Sequence, residues 1–138
     1  MDAKVTWKSG MSFNGNSNSG FNIPLGASVE HGGVSDGTSP MELVLIGLGG
    51  CSAMDVISIL EKKRQEVKSF EVALHAERST EHPKVFTDIT IEFIVTGHSI
   101  DLEAVQRAVE LSETKYCSVN GMLKKSAAIH TKCTVKEG

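Results

Sequence analysis

The sequence predicts a mixed α/β protein, with antiparallel sheet wrapped around one long buried helix. Two long stretches alternate apolar and polar residues with the strand period of two: Phe70, Val72, Leu74 and Ala76, then Ile89, Ile91, Phe93 and Val95. Ahead of them runs a segment apolar on every side, Leu43, Val44, Leu45, Ile46 and Leu48, which marks a helix surrounded by other elements. A length of 138 residues with 40% hydrophobic and 22% charged residues suits one folded domain, residues 1–138, with a single core.

Taken in order, residues 4 to 13 alternate around Val5, Trp7, Met11 and Phe13, and Phe21, Ile23 and Leu25 alternate after the polar run from Asn14 to Gly20. Two strands joined by a polar turn are expected. Residues 26 to 38 are rich in Gly, Ser and Asp and read as a mobile loop. Ser39-Pro40-Met41-Glu42 then forms a capping box, with Pro40 suited to the first helical position. The helix it opens should run to about Gln65.

One small chain can hardly surround such a helix, so a homodimer is expected in which two of these helices pack together under sheets from both chains. The next two strands form an antiparallel pair turned at Glu81-His82-Pro83. Asp101 can cap a second, amphipathic helix carrying Leu102, Val105, Ala108 and Val109. A short helical segment from Cys117 to Lys125 precedes a last strand through Ile129, Thr131, Cys133 and Val135. The expected order is β-β-α-β-β-α-α-β.

Composition excludes several functions. A formal net charge of −3 and only short basic clusters, such as Lys62-Lys63-Arg64, argue against nucleic acid as a partner. The N-terminus has no signal-peptide character, and the longest uncharged apolar run, Leu43 to Met54, is shorter than a bilayer span. A cytoplasmic protein that does not enter the membrane is expected. The five histidines, at 31, 75, 82, 98 and 130, do not fall at metal-site spacing with each other or with a cysteine, so neither metal nor cofactor is expected. Gly47-Leu48-Gly49-Gly50 sits inside a helix with no strand leading into it and is not a dinucleotide loop. Ser52 lacks a nucleophile-elbow context and has no assignable histidine base.

The three cysteines remain. Their odd number in a reducing compartment does not suit a structural disulfide framework, so any pair would be transient or catalytic. Cys51 follows Gly47, Gly49 and Gly50; glycines weaken a helix, and here they would serve close helix packing or access to the thiol. Cys51 equally suits a small core hydrophobe. Cys117 opens a helical segment beside Lys115, a setting that lowers a thiol pKa, although a buried structural cysteine also fits. Cys133 alternates with Ile129 and Val135 and reads as core.

Thr38-Ser39-Pro40-Met41-Glu42-Leu43, Gly49-Gly50-Cys51-Ser52-Ala53-Met54-Asp55-Val56 and Lys115-Tyr116-Cys117-Ser118-Val119 together resemble the OsmC/Ohr family, and within it a YhfA-like branch. The resemblance covers nearly the whole chain. It implies an OsmC-like α/β fold and an intertwined homodimer with the long helices at its centre. It also implies catalytic roles for Cys51, as the peroxidatic cysteine attacking an organic hydroperoxide, and for Cys117, as the cysteine that resolves the sulfenic acid to a disulfide. A small dithiol or lipoyl-type reductant would reset the pair.

The chain departs from the family pattern at one place. Peroxidase members carry a glutamate ten residues before the first cysteine and an arginine from the N-terminal region. Here Met41 stands at the first position, Glu42 belongs to the capping box, and the first 50 residues contain no arginine. Lys4, Lys8 and Arg64 are the cations that could take its place, without an arginine's planar fork in the case of lysine. Two functions follow: a thiol-dependent hydroperoxide reductase, or a non-catalytic dimer that keeps the fold and binds a small hydrophobic or electrophilic ligand.

Overall fold

The computed structural model describes residues 1–138, which form two compact units, Met1–Val44 and Leu45–Gly138. The first holds a three-stranded antiparallel sheet of β1 (Ala3–Ser9), β2 (Ser12–Ser17) and β3 (Asn22–Leu25), with β2 in the middle. The expected single strand from residue 4 to 13 is therefore a hairpin, and the run Asn14–Ser17, expected as a turn, is strand. Gly10 explains the reversal: its φ of +52° suits glycine best, and it lets Ser9 pair directly with Ser12. Asn14, Gly15 and Asn16 are poor strand formers, but they have a partner on each side, Thr6, Val5 and Lys4 on β1 and Pro24, Ile23 and Asn22 on β3. Cross-strand pairing overrides their propensity.

Residues 26–38, expected as a mobile loop, are tied down by backbone and side-chain hydrogen bonds. Gly26 N–H donates to Thr38 C=O at 3.0 Å, Ser35 N–H to Ala27 C=O at 3.0 Å, and the Ser12 hydroxyl to the Asp36 carboxylate at 2.6 Å. A short 3₁₀ turn, Val29–His31, lies within them.

Helix α1 (Pro40–Lys62) begins as the capping box requires. Ser39 N–H donates to the Glu42 carboxylate at 3.1 Å, and Glu42 N–H to the Ser39 hydroxyl at 3.2 Å. The helix stops three residues before the expected end. Arg64 adopts a left-handed φ of +57°, Arg64 N–H bonds Glu61 C=O, and Gln65 N–H bonds Leu60 C=O, the two bonds of a Schellman motif.

In the second unit, β4 (Glu66–Arg78), β5 (Phe86–His98) and β6 (Ala128–Glu137) form a sheet with β5 central. The β4–β5 pair is antiparallel as expected, but β6 runs parallel to β5, so this sheet is mixed. A parallel neighbour needs a long crossover, and α2 (Leu102–Leu111), a π-helical turn (Ser112–Tyr116) and α3 (Ser118–Leu123) supply it. Ile89, Ile91, Phe93 and Val95 of β5 are buried, as are Ala104, Val105, Ala108 and Val109 of α2. Asp101 caps α2 by accepting from Glu103 N–H at 3.0 Å.

Within one chain α1 is buried along a single row, Leu48, Gly49, Ser52, Val56 and Leu60, and not all round as expected. Ile46 is 60% exposed and Met54 74%. One protomer supplies neighbours for one face of the helix only. With 23 residues and a mean hydropathy of 2.1, α1 is long and apolar enough by itself to cross a bilayer, more so than the uninterrupted run of its sequence indicates. Its buried row includes a serine hydrogen-bonded inside the fold, which is how a core helix is held.

Candidate active site

Two cysteines sixty-six residues apart in sequence meet between α1 and the crossover. Cys51 is half-buried on α1, and Cys117, 5% exposed, ends the π-helical turn and caps the N-terminus of α3. The π turn sets that position, because Cys117 N–H bonds Ser112 C=O at 2.8 Å, five residues back. Both thiols are free, and Cys51 is close enough to be among the groups that raise the Cys117 thiol.

The Cys117 sulfur accepts from Asn120 N–H at 3.4 Å and from the Ser52 hydroxyl at 3.5 Å. Ser52 is 2% exposed, and it was not legible as a partner of Cys117 because sequence patterning singles it out only as a failed nucleophile. The signal was its place in the i, i+4 row Leu48–Ser52–Val56–Leu60, where a polar residue among three apolar ones needs a buried partner.

The expected lowering of the Cys117 pKa does not occur. Burial first, then the hydrogen bond with Cys51, push the thiol up, against the opposing pull of Asn120 N–H and Ser52. The expected cation is also turned elsewhere: the Lys115 ammonium sits 5.3 Å from the centre of the Tyr116 ring.

Asp55, one turn after Cys51, accepts from the Ser112 hydroxyl at 2.9 Å and so ties α1 to the turn that carries Cys117. Asn120 is 2% exposed, and its side-chain oxygen has no hydrogen-bond partner. Cys133 pairs with Phe93 on the core side of the sheet, half-buried, with its thiol raised by burial.

Arg64 does not reach the pair. The last residue of α1, Lys62, is about three turns past Cys51, about 16 Å at 1.5 Å per residue, and Arg64 lies beyond it. The Glu42 carboxylate is engaged in its capping box. No three His, Cys, Asp or Glu side chains converge as a metal ion would need.

Residues 32–132 match the family model described as OsmC-like protein. The chain belongs to the OsmC-like family. Protein YhfA of Escherichia coli strain K12 is 49% identical over 130 residues, covering 94% of this chain and 93% of that one. Among solved structures, a hypothetical protein from Aquifex aeolicus VF5 is 34% identical, with a TM-score of 0.88 over 99% of this chain and 96% of its own. The organic hydroperoxide resistance protein OhrB of Bacillus subtilis superposes with a TM-score of 0.64 over 96% of this chain and 98% of its own, at 18% identity. The OhrB likeness is one of fold. Mixed α/β architecture, two sheets and the long helix are thus those of the OsmC-like family.

Proposed function

We propose that this OsmC-like protein is a thiol-dependent reductase of organic hydroperoxides, working in the cytoplasm as a homodimer through Cys51 and Cys117. The observation that carries the reading is the hydrogen bond from Ser52, the residue next to Cys51 on α1, to the buried Cys117 sulfur at 3.5 Å, which brings the two free thiols to one place. The organic hydroperoxide resistance proteins that share the fold supply the substrate class.

In this reading the Cys51 thiolate, the more accessible of the two, attacks the distal oxygen of a hydroperoxide. The O–O bond breaks, an alcohol leaves after taking a proton, and Cys51 becomes a sulfenic acid. Cys117 then attacks the Cys51 sulfur, forming the disulfide and releasing water. Two thiols and one hydroperoxide thus give a disulfide, an alcohol and water, and a small dithiol, lipoyl-type or similar, returns both electrons. A Cys117 thiol held up by burial stays protonated until its turn comes and does not compete for the substrate.

The dimer reading rests on α1. Ile46 and Met54 project from a helix whose other face is already buried, and a second copy of the same helix would cover them. In the first unit Trp7 and Phe21 are also exposed, at 63% and 78%. Apolar surface of this kind marks an interaction face.

One equivalent of cumene hydroperoxide added to the reduced protein, followed by disulfide mapping by mass spectrometry, tests the function. A Cys51–Cys117 disulfide is expected, together with a stable sulfenic acid on Cys51 in Cys117→Ser. Free thiols throughout, unchanged in Cys51→Ser, would leave the non-catalytic ligand-binding dimer as the better reading.

A further inference from the structure

Ser52 has no part in the peroxide chemistry just described, yet it is buried beside the reacting pair and aims its hydroxyl at one sulfur only. Two donors converge on Cys117, the Ser52 hydroxyl at 3.5 Å and Asn120 N–H at 3.4 Å, and no protein N–H or hydroxyl group donates to Cys51. Within one protomer, accessibility divides the pair in the opposite sense: Cys51 is half-buried and Cys117 only 5% exposed.

These two asymmetries bear on one question, which sulfur an incoming thiol attacks when the disulfide is reduced. Exchange proceeds faster at an accessible sulfur, and faster when the sulfur that departs is stabilised as a thiolate. Accessibility selects attack at Cys51, and the two donors, found at Cys117 alone, offset part of the burial that would hinder its departure as a thiolate. We infer that Ser52 is a positioning residue for the reductive half of the cycle: it holds Cys117 as the leaving thiolate, so that the external thiol attacks Cys51. The inference rests on the two-cysteine reading above.

Electrons and atoms balance as follows. A thiolate RS⁻ attacks Cys51 Sγ and forms RS–S–Cys51, while the Cys51–Cys117 bond breaks and its electron pair stays on Cys117 Sγ. Ser52 and Asn120 donate to that sulfur as the charge develops, and it then takes the proton released by the first thiol. A second thiol, from the same dithiol or another molecule, attacks the outer sulfur of the mixed disulfide. The reductant leaves as its own disulfide, and Cys51 is freed as a thiolate.

While Cys51 is held in the mixed disulfide it is neither a thiolate nor a thiol. One of the causes that raise Cys117 in the reduced protein, its thiol neighbour Cys51, is then absent, while burial, the larger cause, still opposes the two donors. The arrangement is thus better suited to a departing Cys117 thiolate than the resting state suggests. Ser52 follows Cys51 directly, so the residue that presents one sulfur to solvent also fixes, one position later, the donor for the other.

The full-length protein, oxidised with cumene hydroperoxide, is mixed with limiting glutathione, quenched in acid after short times and mapped by mass spectrometry. Glutathione is expected on Cys51, and glutathione on Cys117 would overturn the inference. In parallel, the disulfide is reduced with dithiothreitol and free thiols are counted over time. Ser52→Ala, which favours the helix, should slow reduction about tenfold by removing a hydrogen bond to a charged leaving group. Ser52→Thr, which keeps the hydroxyl, should recover most of the rate, as a purely structural role for Ser52 would not require. A Ser52→Ala variant reduced as fast as the parent would sink the proposal while leaving the two-cysteine cycle intact. If hydroperoxide yields no Cys51–Cys117 disulfide at all, the cycle itself fails and this inference with it.

Discussion

Ser112 is 1% exposed, and its hydroxyl donates to the Asp55 carboxylate 2.9 Å away. A hydrogen bond to a charged acceptor stabilises by about 1.5 to 3 kcal/mol, and Ser112→Ala should lose an amount near the lower end of that range, because Asp55 retains some access to water. Urea denaturation reads this directly as a lower midpoint at unchanged slope. At the same scale, burial raises the thiols of Cys117 and Cys133 above the ordinary value. The folded state therefore holds these protons more tightly than the unfolded chain. Their contribution is complete below the ordinary thiol value, near about 8.5, and is lost as pH rises from there through the raised values. Stability should fall through that alkaline window, and the fall should be shallower in Cys133→Ala.

Helix α1 carries a designed start and an imperfect stop. Replacing the cap Ser39 by Ala should cost about 1 kcal/mol, since two backbone and side-chain bonds close the capping box there. The Glu42 carboxyl is held below its ordinary range, first by its bonds with Ser39. Its stabilising effect is present above that range and disappears as pH falls through the lowered value. Melting curves of Glu42→Gln and the parent should differ at neutral pH and converge in acid. At the other end Arg64 occupies a left-handed φ that favours glycine, so Arg64→Gly should raise stability by about 0.5 to 1 kcal/mol. A lower melting temperature for that variant would show that the Arg64 side chain contributes more than its backbone costs.

Gly47, Gly49 and Gly50 link the helix to the assembly. A Cβ on Gly49 would meet Leu74 Cδ1 at 2.6 Å, so the end of the Leu74 side chain would have to shift to admit one. A Cβ on Gly47 or Gly50 would meet nothing, so a single chain does not account for either. Alanine at Gly47 would strengthen an isolated helix by about 1 kcal/mol. If a second α1 packs there, Gly47→Leu should instead weaken association. Light scattering should give the parent a mass of twice the 14.8 kDa chain and Gly47→Leu a smaller one. A parent that elutes with the mass of one chain would remove the dimer, and with it the account of these two glycines.

Much of this protein was written in local order. The period-two runs of β4 and β5, the capping box at Ser39–Glu42 and the Asp101 cap all depend on residues a few positions apart, and each is found where the pattern puts it, while Cys133, read as core, lies on its strand only half-buried. Other features depend on partners distant in the chain. Asn14–Asn16 become strand only because β1 and β3 flank them, β6 runs parallel because its crossover returns the chain to the end of the sheet where β5 begins, and the thiol of Cys117 is raised by a burial that Lys115 could not announce. The pairing of Ser52 with Cys117 belongs to the same class. Period and caps report what a residue does for its own element, whereas a thiol's proton and a hydroxyl's partner are set by whichever atoms folding brings within about 3.5 Å.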